Sequence, residues 1–271
     1  MIDVMRWLKL YVVSKIGIFY ELALSHFRSP TDLLRYSEKF FDNESPRMAY
    51  QNHLHHNLNN YLYQIGYGPL YNNPEFFSGS YALDFGSGGG RNAINISKIA
   101  NFREIHLVDI SQSNLEKSKV NVNRYGKGKF DYFKTDGMRV ELANKYKFIF
   151  STITLQHIPS RTIRNSLLKD LIDLLDDDGV MSIQLGFGLK FTSKKKLMSV
   201  AYKNNDFASK KTNGRRDVRI NSVELILEDL NALGAKKVEW FITPSHSDKH
   251  PKWLWLYIYK SDVNYLQTIQ Y

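Results

Sequence analysis

Two hydrophobic patterns alternate along the chain from about residue 79, namely short apolar runs typical of strands and longer amphipathic segments typical of helices. The apolar runs predict five strands, at residues 81–85, 105–109, 130–135, 148–153 and 180–185. The amphipathic segments predict helices near residues 90–100, 112–123 and 161–175. An Asp-Asp-Asp-Gly turn at residues 176–179 is expected before the fifth strand. Strands that alternate with helices indicate a parallel sheet with right-handed crossovers.

The pattern changes at both ends of the chain. Near the C-terminus a helix at about residues 222–233 precedes two strands, at 237–243 and 253–259, with no helix between them. So short a connection indicates an antiparallel hairpin. Residues 1–75 show helical periodicity instead, and their Tyr-rich part at residues 50–71 is predicted to be a surface helix. The predicted fold is therefore α/β, a doubly wound seven-stranded, mostly parallel sheet with an antiparallel terminal hairpin and an N-terminal helical extension.

A glycine-rich stretch follows the first predicted strand. Its pattern, Asp-x-Gly-x-Gly-x-Gly, is formed by Asp84, Gly86, Gly88 and Gly90. Glycine suits this turn because the backbone must adopt positive φ and a ligand must approach it without meeting a Cβ. The dinucleotide pattern Gly-x-Gly-x-x-Gly does not fit, since it would need glycine at Arg91 or at Ala93. The spacing resembles the nucleotide loop of class I S-adenosylmethionine (SAM)-dependent methyltransferases.

A carboxylate after the second strand supports the same resemblance. Asp109 ends that strand, 19 residues beyond Gly90. At such a position it can accept hydrogen bonds from both ribose hydroxyls of an adenosine ligand. A simple helix cap is the alternative, a role that Ser111 or Ser113 could fill equally well. The resemblance covers about residues 79–260 and leaves residues 1–75 outside it.

The resemblance implies a role for each matching residue. The backbone around Gly86 and Gly88 would hold the methionine part of SAM, while Asp84 would fix the loop and meet the cofactor's amino group. Asp136, after the third strand, would accept a hydrogen bond from the adenine amino group, although Asp-Gly at this point is also a turn signal in its own right. The predicted cofactor-binding residues are Asp84, Gly86, Ser87, Gly88, Gly90, Asp109, Ile110, Asp136, Gly137, Ser151 and Thr152.

The fourth strand leads into Ser151-Thr-Ile-Thr-Leu-Gln-His-Ile-Pro159, where a histidine stands two residues before proline. This resembles small-molecule methyltransferases in which that histidine faces the transferred methyl group. Side chains at the carboxyl end of a parallel strand point into the binding crevice. His157 is therefore the predicted catalytic base or substrate-orienting residue, with Gln156 as a substrate contact. A histidine that merely begins a helix is the alternative.

Charge is concentrated in one segment, residues 186–220, which we call the basic segment. It contains ten lysines and arginines and two aspartates, and so carries +8 of the formal net charge of +10. Such a field suggests an anionic partner, either a small substrate, nucleic acid or a membrane surface in peripheral contact. Arg215 and Arg216 are its predicted substrate contacts. A solvated loop whose lysines only aid solubility is the alternative.

Composition excludes several kinds of chemistry. The chain has no cysteine, which excludes disulfides, thiolate metal sites and the covalent route to carbon-methylated pyrimidines, and fits a cytoplasmic location. Charged residues interrupt the apolar run near the N-terminus, so neither a signal peptide nor a membrane span is expected. No metal is expected, because the histidines at positions 53, 55 and 56 lack a ligand spacing such as His-Glu-x-x-His. An Asn/Asp-Pro-Pro-Tyr motif, typical of enzymes that methylate base amines, is missing after the fourth strand.

These observations predict two regions. Residues 1–75 would form a helical extension on the lid or substrate side, and residues 76–271 a SAM-binding domain with the basic segment inserted. The expected activity is SAM-dependent methyl transfer to a small-molecule or glycan acceptor, most readily an anionic one. An RNA methyltransferase and a SAM-fold binding protein without catalysis are the alternatives.

Overall fold

A seven-stranded mixed sheet forms the centre of the protein in the computed structural model, which describes residues 34–35, 38–39, 41–42, 65–158, 160–188, 222–244 and 252–261. The strands are β1 Tyr81–Phe85, β2 Glu104–Asp109, β3 Phe130–Lys134, β4 Tyr146–Thr152, β5 Leu175–Phe187, β6 Lys237–Pro244 and β7 Lys252–Tyr259. Their order across the sheet is β3-β2-β1-β4-β5-β7-β6. The first five pair in parallel, while β7 runs antiparallel to both β5 and β6. The predicted doubly wound, mostly parallel seven-stranded sheet is confirmed, including the terminal hairpin.

Helices pack on both faces of this sheet. The α-helices are α1 Gly68–Asn72, α2 Arg91–Ile96, α3 Gln112–Tyr125, α4 Arg161–Leu174 and α5 Val223–Ala232. Short 3-10 helices occupy Pro74–Phe77 and Leu155–His157. The side chains of Ser111 and Ser160 cap α3 and α4 by accepting from the amides of Asn114 and Ile163, which would otherwise have no partner within the helix.

Two hydrophobic cores result, one on each side of the sheet. One contains the apolar sides of α4 and α5, and the other contains α2 together with residues 67–77. Because the central strands contribute to both cores, they read as continuous apolar runs in the sequence, as in β1, where Ala82 and Leu83 are both fully buried. The sheet is thereby held rigid beneath the carboxyl ends of β1, β2 and β4.

The predicted turn at residues 176–179 is not a separate element, because β5 begins at Leu175. The register moves from Tyr146–Leu175 to Phe148–Val180, so β5 advances five residues while β4 advances two. The extra residues form an irregularity within the strand. Gly179 is needed there, since a Cβ would lie 2.8 Å from the Tyr146 carbonyl oxygen. The turn residues therefore mark a bulge at the edge of the pairing.

The end of the Tyr-rich segment is not a surface helix, in contrast to the prediction. Tyr67 is fully buried, and its hydroxyl donates to Asn92 Oδ1 at 2.9 Å. Ser182 Oγ on β5 donates to the Gly66 carbonyl at 2.8 Å, and Tyr257 on β7 donates to the carbonyl of Ile65. This stretch belongs to the core because glycine at position 66 lets the backbone lie directly on the sheet. Most of the predicted N-terminal helices, and the three histidines, lie outside the described residues. No helix in the described ranges is long and apolar enough to cross a membrane.

Candidate cofactor and acceptor site

A cavity lies at the carboxyl ends of β1, β2, β3 and β4. The loop between β1 and α2 forms its floor, and the 3-10 helix at Leu155–His157 and the start of α4 form one side. Leu34 and Phe41, from the N-terminal part of the chain, complete the wall. Open parallel sheets bind their ligands at this edge, where the strand order reverses between β1 and β4.

The loop between β1 and α2 has the backbone that its glycines allow. Gly86, Gly88 and Gly90 have φ angles of 73°, 52° and 83°, a region that residues with a Cβ rarely adopt. A Cβ on Gly86 would also lie 2.2 Å from the side chain of Thr154. The loop is held from below by Val108, whose carbonyl oxygen accepts from the amide of Gly86 at 2.7 Å. These contacts fix the backbone of the glycine loop at the cavity floor.

Ser87 contributes a polar group to this floor. Its side chain is buried in the cavity wall, and its Oγ has no hydrogen-bond partner among the described residues. A buried hydroxyl without a partner is costly, so a ligand or water in the cavity would stabilise it. The floor therefore combines open backbone with one hydroxyl that a polar ligand can satisfy.

Asp109 lies in the wall at the end of β2, and most of its acceptor positions are used in hydrogen bonds within the protein. Its Oδ1 accepts from Ser111 N at 2.9 Å and from Asn114 Nδ2 at 3.2 Å, and its Oδ2 accepts from Gly88 N at 2.8 Å. Burial raises the pKa of this carboxyl, and the three hydrogen bonds oppose that rise. Each carboxylate oxygen accepts about two hydrogen bonds, so a position remains at Oδ2. Bonds to both ribose hydroxyls would require Asn114 to turn away.

Asp84 lies beneath the loop and outside the cavity wall. It is fully buried and accepts from Ala93 N at 3.0 Å and from Asn92 Nδ2 at 3.5 Å. Burial is the main cause that raises the pKa of this carboxyl to about 7. Its place in the structure is to fix the start of α2 against the glycine loop.

Of the two predicted residues after β3, one lines the cavity and the other does not. Gly137 is in the wall with a φ of 79°, and a Cβ there would lie 2.7 Å from Ile110, which also lines the cavity. Asp136 is exposed and outside the wall, and its Oδ1 accepts from the amides of Met138 at 2.7 Å and Arg139 at 3.1 Å. Asp136 therefore has the geometry of the turn residue that was the alternative.

The end of β4 and the residues after it divide in the same way. Thr152 and His157 line the cavity, and Thr152 Oγ1 accepts from Asn92 Nδ2 at 3.1 Å. Ser151 and Gln156 are each 1 % exposed and lie outside the wall. The ring of His157 faces Phe41 with centroids 6.0 Å apart. Thus the histidine reaches the cavity and the adjacent glutamine does not.

Arg215 and Arg216 lie outside the described residues, as does nearly all of the basic segment. Within the described part of the chain, no group of three or more His, Asp or Glu side chains could hold a metal ion.

Sequence reasoning missed several wall residues. Asn92 follows the glycine loop by two positions and links it to β4, and Asn114 supports Asp109 from α3. Leu34 and Phe41 are far from the loop along the chain, so no motif spacing could have placed them. Asn92 had one available signal, since a polar side chain in the first turn of the helix after the loop can reach the neighbouring strand ends.

The comparisons with known proteins agree with this geometry. A family model described as "Methyltransferase domain" matches residues 82–179, which run from β1 into β5. By this match the chain is similar to methyltransferases over about a third of its length. No curated protein matches the chain in sequence.

Solved structures share the fold of this chain at low sequence identity. One is magnesium protoporphyrin IX methyltransferase from Synechocystis PCC 6803 with bound S-adenosylhomocysteine (SAH), at 15% identity and a TM-score of 0.56, covering 83% of this chain and 98% of that one. Another is the N-methyltransferase NodS from Bradyrhizobium japonicum WM9 in complex with SAH, at 12% identity and a TM-score of 0.54, covering 84% of this chain and 97% of that one. The alignments extend beyond the family match into the rest of the chain.

Proposed function

We propose that this protein transfers a methyl group from SAM to a small-molecule acceptor that binds beside His157 and carries an anionic group. The observation that carries the proposal is one cavity that contains both the glycine loop and His157. SAM supplies an electrophilic methyl group with a neutral thioether as leaving group, so the protein's task is mainly to position the reactants and exclude water.

The residues of the cavity floor fit SAM. Gly86 and Gly88 present backbone at positive φ with no side chain of their own, and Ser87 offers a hydroxyl that has no partner among the described residues. Asp109 retains an acceptor position for a ribose hydroxyl. Gly137 lets the backbone lie close to Ile110 and Leu34, and these apolar side chains line the wall against which a flat base can pack.

The acceptor would lie on the side of the cavity formed by His157, Phe41 and Ile158. This wall is apolar apart from the imidazole, which favours a small acceptor with an apolar or aromatic body over a glycan. His157 can accept the proton that a hydroxyl or ammonium acceptor must lose, a contribution of roughly 10²–10⁴-fold in rate.

The anionic group of the acceptor is proposed from the positive charge of the basic segment and not from the described cavity wall. Among the described wall residues, Arg91 has the one permanent positive charge, and it is the first residue of α2, directly after the loop. The basic segment follows β5, so it leaves the sheet at the same carboxyl edge as the cavity. Arg215 and Arg216 within it are the proposed contacts to that group. The cytoplasmic location suggested by composition stays a prediction.

The N-terminal extension is proposed as the lid of this site. Asp42 accepts from Ser111 Oγ at 2.6 Å, and Glu38 forms an ion pair with Lys134 at 2.6 Å. Both contacts connect the extension to residues at the ends of β2 and β3. Phe41 in the same stretch meets His157, so the lid would contribute to the acceptor side as well.

RNA is the second candidate substrate, favoured by the same +8 charge of the basic segment. If RNA is the substrate, the protein should bind bulk RNA in a salt-sensitive way. If the acceptor is a small anionic molecule, no such binding is expected.

The replacement His157→Ala tests the acceptor side directly. Turnover should fall by roughly 10²-fold or more, while SAM affinity stays within a few-fold, because the imidazole serves the acceptor. Transfer of a labelled methyl group from SAM into a cell-extract fraction measures the first quantity, and calorimetry measures the second. Equal transfer by the variant and the parent protein would reduce His157 to a structural residue.

A further inference from the structure

The turn that follows β4 has a backbone that its sequence does not favour. Ile153 has a φ of 60°, and it is the one residue other than glycine with positive φ within the described ranges. A β-branched side chain at positive φ is strained, because its Cβ substituents crowd the neighbouring carbonyl oxygen. Such a conformation persists only where surrounding contacts hold it, and it occurs most often at functional sites.

A side chain from the neighbouring strand holds this turn. Gln184 on β5 pairs in register with Thr152, and its Oε1 accepts from the amide of Ile153 at 3.0 Å. The orientation of this amide is fixed, because only the oxygen can accept from an N–H group. Gln184 is 1 % exposed, and its Nε2 has no partner among the described residues. A buried amide with an unsatisfied donor is costly, so its packing alone does not account for a glutamine here.

The turn at Ile153 also positions the glycine loop and the 3-10 helix that contains His157. Thr154, the next residue, places its side chain against Gly86, and its hydroxyl donates to the Thr152 carbonyl at 3.0 Å. The Thr154 carbonyl accepts from the amide of His157 at 2.9 Å and so begins the 3-10 helix that carries the imidazole. A rotation of the peptide at Ile153 would therefore move the packing on the glycine loop and the histidine together.

We propose that Gln184 is a positioning residue of this protein, which holds Ile153 in its left-handed conformation and thereby sets Gly86 and His157 in one geometry. The proposal rests on the proposed function for the meaning of His157. It adds a dependence of the cavity on a residue of β5 that does not line it.

A double-mutant cycle on SAH affinity tests the proposal, with Gln184→Met made in the parent protein and in an Ile153→Gly background. Methionine keeps the side-chain length and removes the acceptor, so affinity in the parent should fall roughly tenfold, the value of about one buried hydrogen bond. Glycine adopts positive φ without strain, so in the Ile153→Gly background the same replacement should change affinity by less than about twofold. Equal losses in the two backgrounds, or no loss in the parent protein, would overturn the proposal.

A second measurement is independent of the cofactor. In the ligand-free protein, the imidazole NMR signal of His157, assigned by its loss in His157→Gln, should shift in Gln184→Met. It should return towards its parent position in the Gln184→Met, Ile153→Gly double variant. Ser182→Ala is the matched control, since Ser182 is buried on the same strand but bonds to Gly66, and it should leave the signal in place. An unmoved signal in Gln184→Met contradicts the proposal. Failure of the parent protein to bind SAH would contradict the proposed function and leave this NMR result to decide on Gln184.

Discussion

Asp84 is a fully buried carboxyl at the start of the glycine loop, and its environment gives stability a defined pH dependence. Its pKa is raised by burial from an ordinary value of 3.8 to about 7 in the folded protein. The folded state thus holds a proton more tightly than the unfolded state, and the stability from this residue is fully present below about pH 4. It is lost as the pH rises through about 7.

The replacement Asp84→Asn should remove that dependence, because the amide stays neutral at every pH while its oxygen can still accept from Ala93 N. The free energy of unfolding of the parent protein, relative to the variant, should fall between about pH 4 and pH 7. Urea unfolding at pH 4, 5.5 and 7 measures the difference. A gap that is constant over this range would show that Asp84 ionises normally in the folded protein.

At the scale of single residues, sequence predicted best where backbone geometry dictates the residue type. Gly86, Gly88 and Gly90 were placed correctly at positive φ because a spacing of alternate glycines has few other physical explanations. Asp136 shows the limit, since its carboxylate accepts from the amides of Met138 and Arg139 and lies outside the cavity wall. Nothing in the order of residues distinguishes those two orientations.

At the scale of elements, the loop between β1 and α2 meets the turn after β4. A Cβ on Gly86 would lie 2.2 Å from Thr154, while Gly79, with the same φ of 73°, has nothing within 4 Å of an added Cβ. The two glycines are therefore a matched pair that separates backbone strain from contact between elements. This contact joins strands that are distant in sequence, which is why periodicity predicted both elements and could not predict how they touch.

Gly86→Ala should reduce stability and SAM affinity more than Gly79→Ala, because only Gly86 lies against another side chain. Gly79→Ala should destabilise the protein by about 1–2 kcal/mol from the left-handed backbone alone and leave SAM affinity unchanged. Gly86→Ala should add the displacement of Thr154 and weaken SAM binding by at least roughly tenfold, since the cavity floor must shift. Thermal melting of both variants measures the stability loss, and calorimetry measures SAM affinity. Equal effects on SAM affinity would show that the contact between Gly86 and Thr154 does not shape the cavity floor.

At the scale of the whole molecule, the sequence predicts the sheet better than it predicts the boundary between the two regions. The strand order and terminal hairpin follow from the alternation of elements, so the fold could be predicted from the sequence. The boundary at residue 75 follows less well, because Tyr67, Leu70 and Phe77 share one core with the sheet. The run of aromatic residues before β1 gave no sign of which side chains are buried, since that depends on the close contact of Gly66 and Gly68 with β4 and β7.

The double replacement Arg215→Glu, Arg216→Glu tests what the basic segment recognises. With a small anionic acceptor, the acceptor KM should rise several-fold, less so in added salt, because the Debye length is about 8 Å at physiological ionic strength. SAM affinity should be nearly unchanged. A gel shift with bulk RNA distinguishes the second candidate, which requires micromolar binding by the parent protein that the variant loses. If neither quantity responds, the segment is a solvated loop.

The central claim is that the cavity binds SAM through the glycine loop and Asp109. Calorimetry with SAM on the parent protein and on Asp109→Ala tests it most directly, with Asp131→Ala, an exposed aspartate on β3, as control. The parent and the control should bind SAM alike, and Asp109→Ala should bind it more weakly by about 1.5–3 kcal/mol, the scale of charge-assisted hydrogen bonds. A protein that binds NADH and not SAM would contradict the claim.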